Sequence, residues 1–275
     1  MARCPAHDDR APSLSIQDTT DGKVLVYCHA GCDQARVISA LRALGLWGRN
    51  GDGHAQPRRF PDNTPARLDD KRTSVALNIW KSTRAGCGSP VETYLHSRGL
   101  TIPPPEVLRF HAGLKHPSGD TWPTMVALVT NGADSAPLAI NRTFLSRDGN
   151  GKAPIEPQKM MLGPCRGGAV RLAQPGDVLM VGEGIETCLA AMQATGLPTW
   201  AALSTSGLRS LDLPREVRDV IILADGDDPG EAAAQDCGLR WKREGRRVRI
   251  ARPPRGADFN DLLLGHLPGA DGDVA

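Results

Sequence analysis

From residue 173 onward, short apolar runs alternate with stretches of helical spacing. Val178-Leu-Met-Val181, Thr199-Trp-Ala-Ala-Leu203, Val220-Ile-Ile-Leu-Ala224 and Val248-Arg-Ile-Ala251 read as strands. Gly184 to Thr195 reads as an amphipathic helix closed by Gly196. Pro229 to Glu244 reads as another, with Asp228 as N-cap, Pro229 in the first turn and Gly245 after its end. This rhythm predicts a mostly parallel sheet covered by helices. Residues 73–172 are mixed: Val75 to Trp80 is helical, a helix opens after Ser89-Pro90, and Met125–Val129 and Leu138–Ile140 are strands around an Asn131-Gly132 turn. Pro12–Ile16 and Lys23–Tyr27 form a hairpin around a turn at Asp18–Gly22. The expected organisation is a module at 1–48, a flexible linker at 49–72, a subdomain at 73–172, an α/β domain at 173–267 and a disordered tail at 268–275. The linker rests on three prolines, two glycines and no apolar periodicity.

The 275 residues give room for about two ordinary domains and a core that needs no disulfides. With 40% apolar and 23% charged residues the composition is that of a globular protein. No run of about 18 apolar residues exists, which excludes a helical membrane span. Met1 to Arg10 lacks the apolar stretch of a signal peptide. The expected location is therefore cytoplasmic, with the seven cysteines as thiols or metal ligands. The net charge of +2 hides a segregation. Residues 240–255 carry eight basic side chains against Glu244, whereas acids gather at Asp225, Asp227, Asp228, Asp258 and Asp261. Of the 33 basic residues 7 are Lys and 26 Arg, the better bidentate ligand for phosphate.

Cys4-Pro-Ala-His7 and Cys28-His-Ala-Gly-Cys32 flank the hairpin. Two knuckles so carried can converge four ligands on a tetrahedral Zn²⁺, and a closed set makes that zinc structural. In so small a module the metal would supply most of the folding energy, on the order of 10 kcal/mol. Cys4, His7, Cys28, His29 and Cys32 compete for four places. His29 offers the commoner spacing to Cys32, Cys28 the softer thiolate. Cys28 is favoured. Cys87, Cys165, Cys188 and Cys237 have no paired spacing and read as ordinary thiols.

Three acidic clusters each follow a predicted strand: Gly182-Glu183-Gly184, Asp225-Gly-Asp227, and Asp258-Phe-Asn260-Asp261. All would reach the C-terminal edge of one sheet, where open α/β folds bind ligands. Carboxylates held together need cations, and hard oxygen donors suit Mg²⁺ or Mn²⁺, often with phosphate completing the shell.

In order and spacing these clusters resemble a TOPRIM domain, the topoisomerase–primase fold. Cys4, His7, Cys28 and Cys32 resemble the zinc ribbon of bacterial-type, DnaG-like DNA primases, its second knuckle widened as in phage and plasmid relatives. Tyr94-Leu-His-Ser-Arg98-Gly-Leu100, Asn141-Arg142-Thr-Phe-Leu145 and Lys159-Met-Met-Leu-Gly163 resemble segments of the primase core. The resemblance implies a zinc ribbon, a mixed α+β subdomain and a Rossmann-like TOPRIM domain. It also implies short RNA primers made from NTPs on single-stranded DNA, in phage, plasmid or mobile-element replication. Asp225, Asp227 and Asp258 would hold catalytic metal. Glu183 would be a ligand or general base. Arg98, Arg142 and Lys159 would contact nucleotide or nucleic acid. The zinc module would touch template, and part of the 240–255 basic run would face the DNA backbone. Since no P-loop is present, a replicative helicase would be a separate chain. The competing readings are a TOPRIM nuclease using the same carboxylates and a non-catalytic DNA-binding replication protein. A topoisomerase is disfavoured because only Tyr27 and Tyr94 could serve as nucleophile.

Overall fold

A computed structural model describes residues 2–9, 12–18, 24–47, 65–254 and 257–265. The chain divides into two compact units, Met1–Pro61 and Asp62–Ala275.

In the first unit β1 (Leu14–Asp18) pairs antiparallel with β2 (Val24–Cys28), setting Leu14 opposite Cys28 and Ile16 opposite Val26. The turn expected between them and the 268–275 tail lie outside the described residues, as does most of the expected linker. α1 (Gln34–Ala43) is capped by Asp33 and lays Val37 and Leu41 on Leu14, Val26, Cys4 and Cys28. That core holds few apolar side chains, which is why a metal matters to it.

The second unit opens with α2 (Pro65–Lys81), so the end of the stretch read as a linker is helical. The helix runs on from the predicted Val75–Trp80 segment, and Ala76, Ile79 and Trp80 anchor it. α3 (Pro90–Ser97) starts on the Ser89 cap, whose hydroxyl accepts from Val91 N–H. An antiparallel set follows, opened before α3 by the short β3 (Arg84–Ala85): β4 (Leu108–Lys115), with which β3 pairs, then β5 (Thr121–Asn131), β6 (Pro137–Phe144), β7 (Lys159–Leu162) and β8 (Gly168–Arg171). Next come β9 (Val178–Gly182), α4 (Ile185–Thr195), β10 (Thr199–Ala201), α5 (Thr205–Ser210), β11 (Asp219–Leu223), α6 (Asp228–Arg243), β12 (Arg247–Ala251) and α7 (Phe259–Leu264).

The strands β12, β11, β9 and β10 lie side by side and all parallel, as the alternating pattern predicts. The inner strands β9, β10 and β11 are mostly apolar because both faces are covered, whereas β12, at the edge of the sheet, keeps Arg247 and Arg249 exposed. Met180 joins the core under α3 and α4, while Leu179 and Val181 join the core with Leu208 of α5 and Trp241 of α6. β8 then pairs antiparallel with both β10 and β5, so the two halves share one sheet. Gly132, after β5, seals that junction: a Cβ there would sit 1.7 Å from the Asp212 carbonyl oxygen. One capping assignment is corrected. Asp227, not Asp228, is the N-cap of α6, its Oδ1 accepting from Gly230 N–H at 2.8 Å.

Candidate metal and catalytic centres

The four parallel strands end at one edge and carry the acidic clusters there. Glu183 follows β9, and α4 begins two residues later. Leu203 fixes this turn: in a left-handed conformation (φ 71°), rare outside glycine, it donates its N–H to the Glu183 carbonyl at 2.9 Å. Asp225 and Asp227 follow β11, and Asp258 caps α7 in a box with Asp261. Burial, then Asp225 and Asp227, push the Glu183 carboxyl up to about 7. Burial, then Asp227 and Asp258, raise Asp225 too. Each carboxylate thus feels the next.

The Glu183 Oε1 atom is buried without a hydrogen-bond partner. An orphaned carboxylate oxygen among like charges is costly unless a cation meets it. This donor set of hard oxygens fits a divalent ion of the Mg²⁺ or Mn²⁺ class. Asp227 and Asp258 each spend one oxygen on a helix cap, leaving the other for a ligand.

Beside Glu183 and Asp225 opens a cleft of about 310 Å³, lined also by Asn141 and Lys159. The Lys159 ammonium lies 3.0 Å from Glu186 Oε2, and the Tyr94 hydroxyl donates to Glu186 Oε1 at 2.6 Å. Burial alone would raise the Glu186 carboxyl, but Lys159, Tyr94 and Lys152 outweigh it and hold the group near 2. Sequence spacing assigns no role to Glu186 or Lys152. The apolar spacing of α4 hid the first and a glycine-rich loop the second. Arg98, the C-cap of α3, stands close enough to Tyr94 and Lys152 for its charge to act on both.

Side chains alternate along β6, so Asn141 lines the cleft, while the Arg142 Nη2 donates to the Met161 carbonyl at 3.3 Å. Part of the 240–255 basic run is paired within the chain. Arg240 donates to the Leu211 carbonyl, Arg247 forks onto Asp219 with both contacts at 2.6 Å, and Arg252 pairs with Glu231 at 2.6 Å. Arg255 lies outside the described residues.

In the first unit the donor atoms of Cys4, His7, Cys28 and Cys32 all lie within 4.8 Å of one another. The His7 Nδ1 is 3.2 Å from Cys32 Sγ and 3.9 Å from Cys28 Sγ. These separations suit a tetrahedron with bonds of about 2.0–2.3 Å, so the set fits Zn²⁺. His29 is turned elsewhere, its Nε2 3.2 Å from Ser15 Oγ and its ring against Tyr27. Asp9 supports the ligands: it accepts from Cys4 N–H at 2.6 Å and faces His7 Nε2 at 3.5 Å.

Residues 178–269 match the family model described as a Toprim domain, and residues 70–172 match one described as a domain of unknown function, DUF7146. No curated protein matches the chain. Among solved structures, a DnaG primase catalytic domain bound to ssDNA is similar at 17% identity and a TM-score of 0.48, over 76% of this chain and 80% of that one. The zinc-binding and RNA polymerase domains of Aquifex aeolicus primase are similar at 16% and 0.45, over 96% and 75%. The primase fragment of the bacteriophage T7 primase-helicase protein is similar at 15% and 0.41, over 96% and 95%. Two parts of the expected architecture are thus present, the Toprim domain and the Cys4-His7-Cys28-Cys32 cluster. Among the described residues no helix is long and apolar enough to cross a membrane.

Proposed function

We propose, on the premise that residues 178–269 are a Toprim domain, that the chain is a primase. It would join NTPs into short RNA on a single-stranded DNA template. The observation that carries this reading is the placing of Glu183, Asp225 and Asp227 at one sheet edge beside a cleft that also holds Lys159. A divalent cation held by Glu183, Asp225, Asp227 and Asp258 would neutralise the triphosphate and lower the pKa of the attacking 3′-hydroxyl. Lys159, kept in place by Glu186, offers its ammonium to a phosphate oxygen. Asn141 offers an amide to base or sugar. Glu183, whose carboxyl is raised toward neutrality, can accept a proton from the hydroxyl when it is not a ligand. Arg98 and Arg142 would add cationic contacts to nucleotide or nucleic acid. The Cys/His module would hold structural zinc and contact template. A replicative helicase would be a separate partner.

The test is NTP incorporation by the purified chain with single-stranded DNA and Mg²⁺ or Mn²⁺. Asp225→Asn and Glu183→Gln should each lower incorporation by at least about 100-fold, the scale of a lost catalytic group, with folding and zinc content kept. Full activity in both variants would sink the assignment. Degraded template that depends on the same residues would make the protein a nuclease. Template binding without turnover would make it a binding module.

A further inference from the structure

The parallel strands have a second edge, at their starts, away from the carboxylates. There the 213–218 segment and the turn between α6 and β12 enclose a cleft of about 660 Å³. It is lined by Arg215, Arg218, Arg246 and Arg247, with Glu244 as the acid among them. Its backbone is rigidly held. The Arg246 guanidinium donates to the carbonyls of Leu213, Pro214 and Val217, and Val217 is buried. Arg218 donates its N–H to the Asp177 carbonyl at 3.0 Å and accepts from Arg247 N–H at 2.8 Å. On this fixed frame the Arg215 and Arg218 side chains are exposed, and neither has a side-chain partner among the described residues.

We propose that this cleft is a second nucleic-acid contact, which binds the phosphodiester backbone of a single strand. Two unpaired guanidinium forks on an ordered backbone match phosphate oxygens in geometry and charge. A protein partner would need an apolar centre, and the lining offers none that is exposed. A polar, positive surface is what nucleic acid meets. A single strand can bend into a cleft of this size, whereas a duplex stays stiff over roughly 150 base pairs.

Anisotropy of a labelled oligo-dT strand titrated with the full chain, over a salt series and without NTP, tests the proposal whether or not the chain makes primers. Arg215→Ala/Arg218→Ala should weaken binding several-fold. It should also reduce the slope of log affinity against log salt by about 1.4, since each phosphate neutralised on a single strand contributes about 0.7. Arg215→Lys/Arg218→Lys should restore most of that slope. Unchanged affinity and slope in the alanine variant would overturn the proposal. So would a duplex, or a polyglutamate peptide, that competes as well as the single strand.

Discussion

Glu186 is 6% exposed, and an isolated carboxylate so buried would take up a proton. Lys159 and Tyr94 keep it charged instead. Its folded pKa lies below the ordinary 4.5, so its stabilisation is present above pH 4.5 and is lost as pH falls through about 2. Glu186→Gln should therefore flatten the acid limb of stability between those values, measured by urea unfolding at stepped pH. At pH 7 the variant should be about 2 kcal/mol less stable. That is less than the 3–5 of a fully buried pair, because the Lys159 side chain is 40% exposed. An unaltered acid limb would mean that the pair is not formed. Motif spacing located Glu183, Asp225 and Asp227 because glycine-flanked acids at strand ends are a local signal. The partners of Glu186 were not legible, because Lys159 meets it across 27 residues and Tyr94 across 92. Asn141 and Arg142 differ by one step of strand alternation, which composition does not resolve.

At the scale of elements, the zinc knuckles are a unit of local spacing, which narrows the ligands to five candidates, and the softer thiolate of Cys28 then favours the four residues that converge. Cys32→Ser should lose zinc by metal analysis and unfold β1, β2 and α1, while the 62–275 unit keeps its own unfolding transition. Retained zinc stoichiometry would contradict the ligand set. The βαβ rhythm fixed four strands and two helices, since buried parallel strands and capped helices write themselves locally. β7 and β8 were not legible, because four-residue strands acquire their meaning from partners far along the chain. Gly132 belongs to this long-range class. Gly132→Ala should cost about 1–3 kcal/mol by thermal or urea unfolding, from collision with the Asp212 carbonyl. Wild-type stability would show that the junction yields freely.

At the scale of the whole molecule, the near-zero net charge is a cancellation between places. Acids collect at the strand ends, and several arginines of the 240–255 run are tied to carbonyls or to surface ion pairs with carboxylates of the chain itself. Arginine content alone therefore overstated the surface free for DNA. What joins the sheet halves is β8, and that continuity sets Lys159 of β7 opposite Glu183 and Asp225 in one cleft. The chemistry of that cleft is most directly tested by the nature of the product. The full chain would be incubated with single-stranded DNA, the four NTPs and Mg²⁺ or Mn²⁺, and the new strand analysed by alkali lability and sequence. A short, alkali-labile strand complementary to the template is the predicted result. No new strand under either metal, with the template intact or cut, would contradict it.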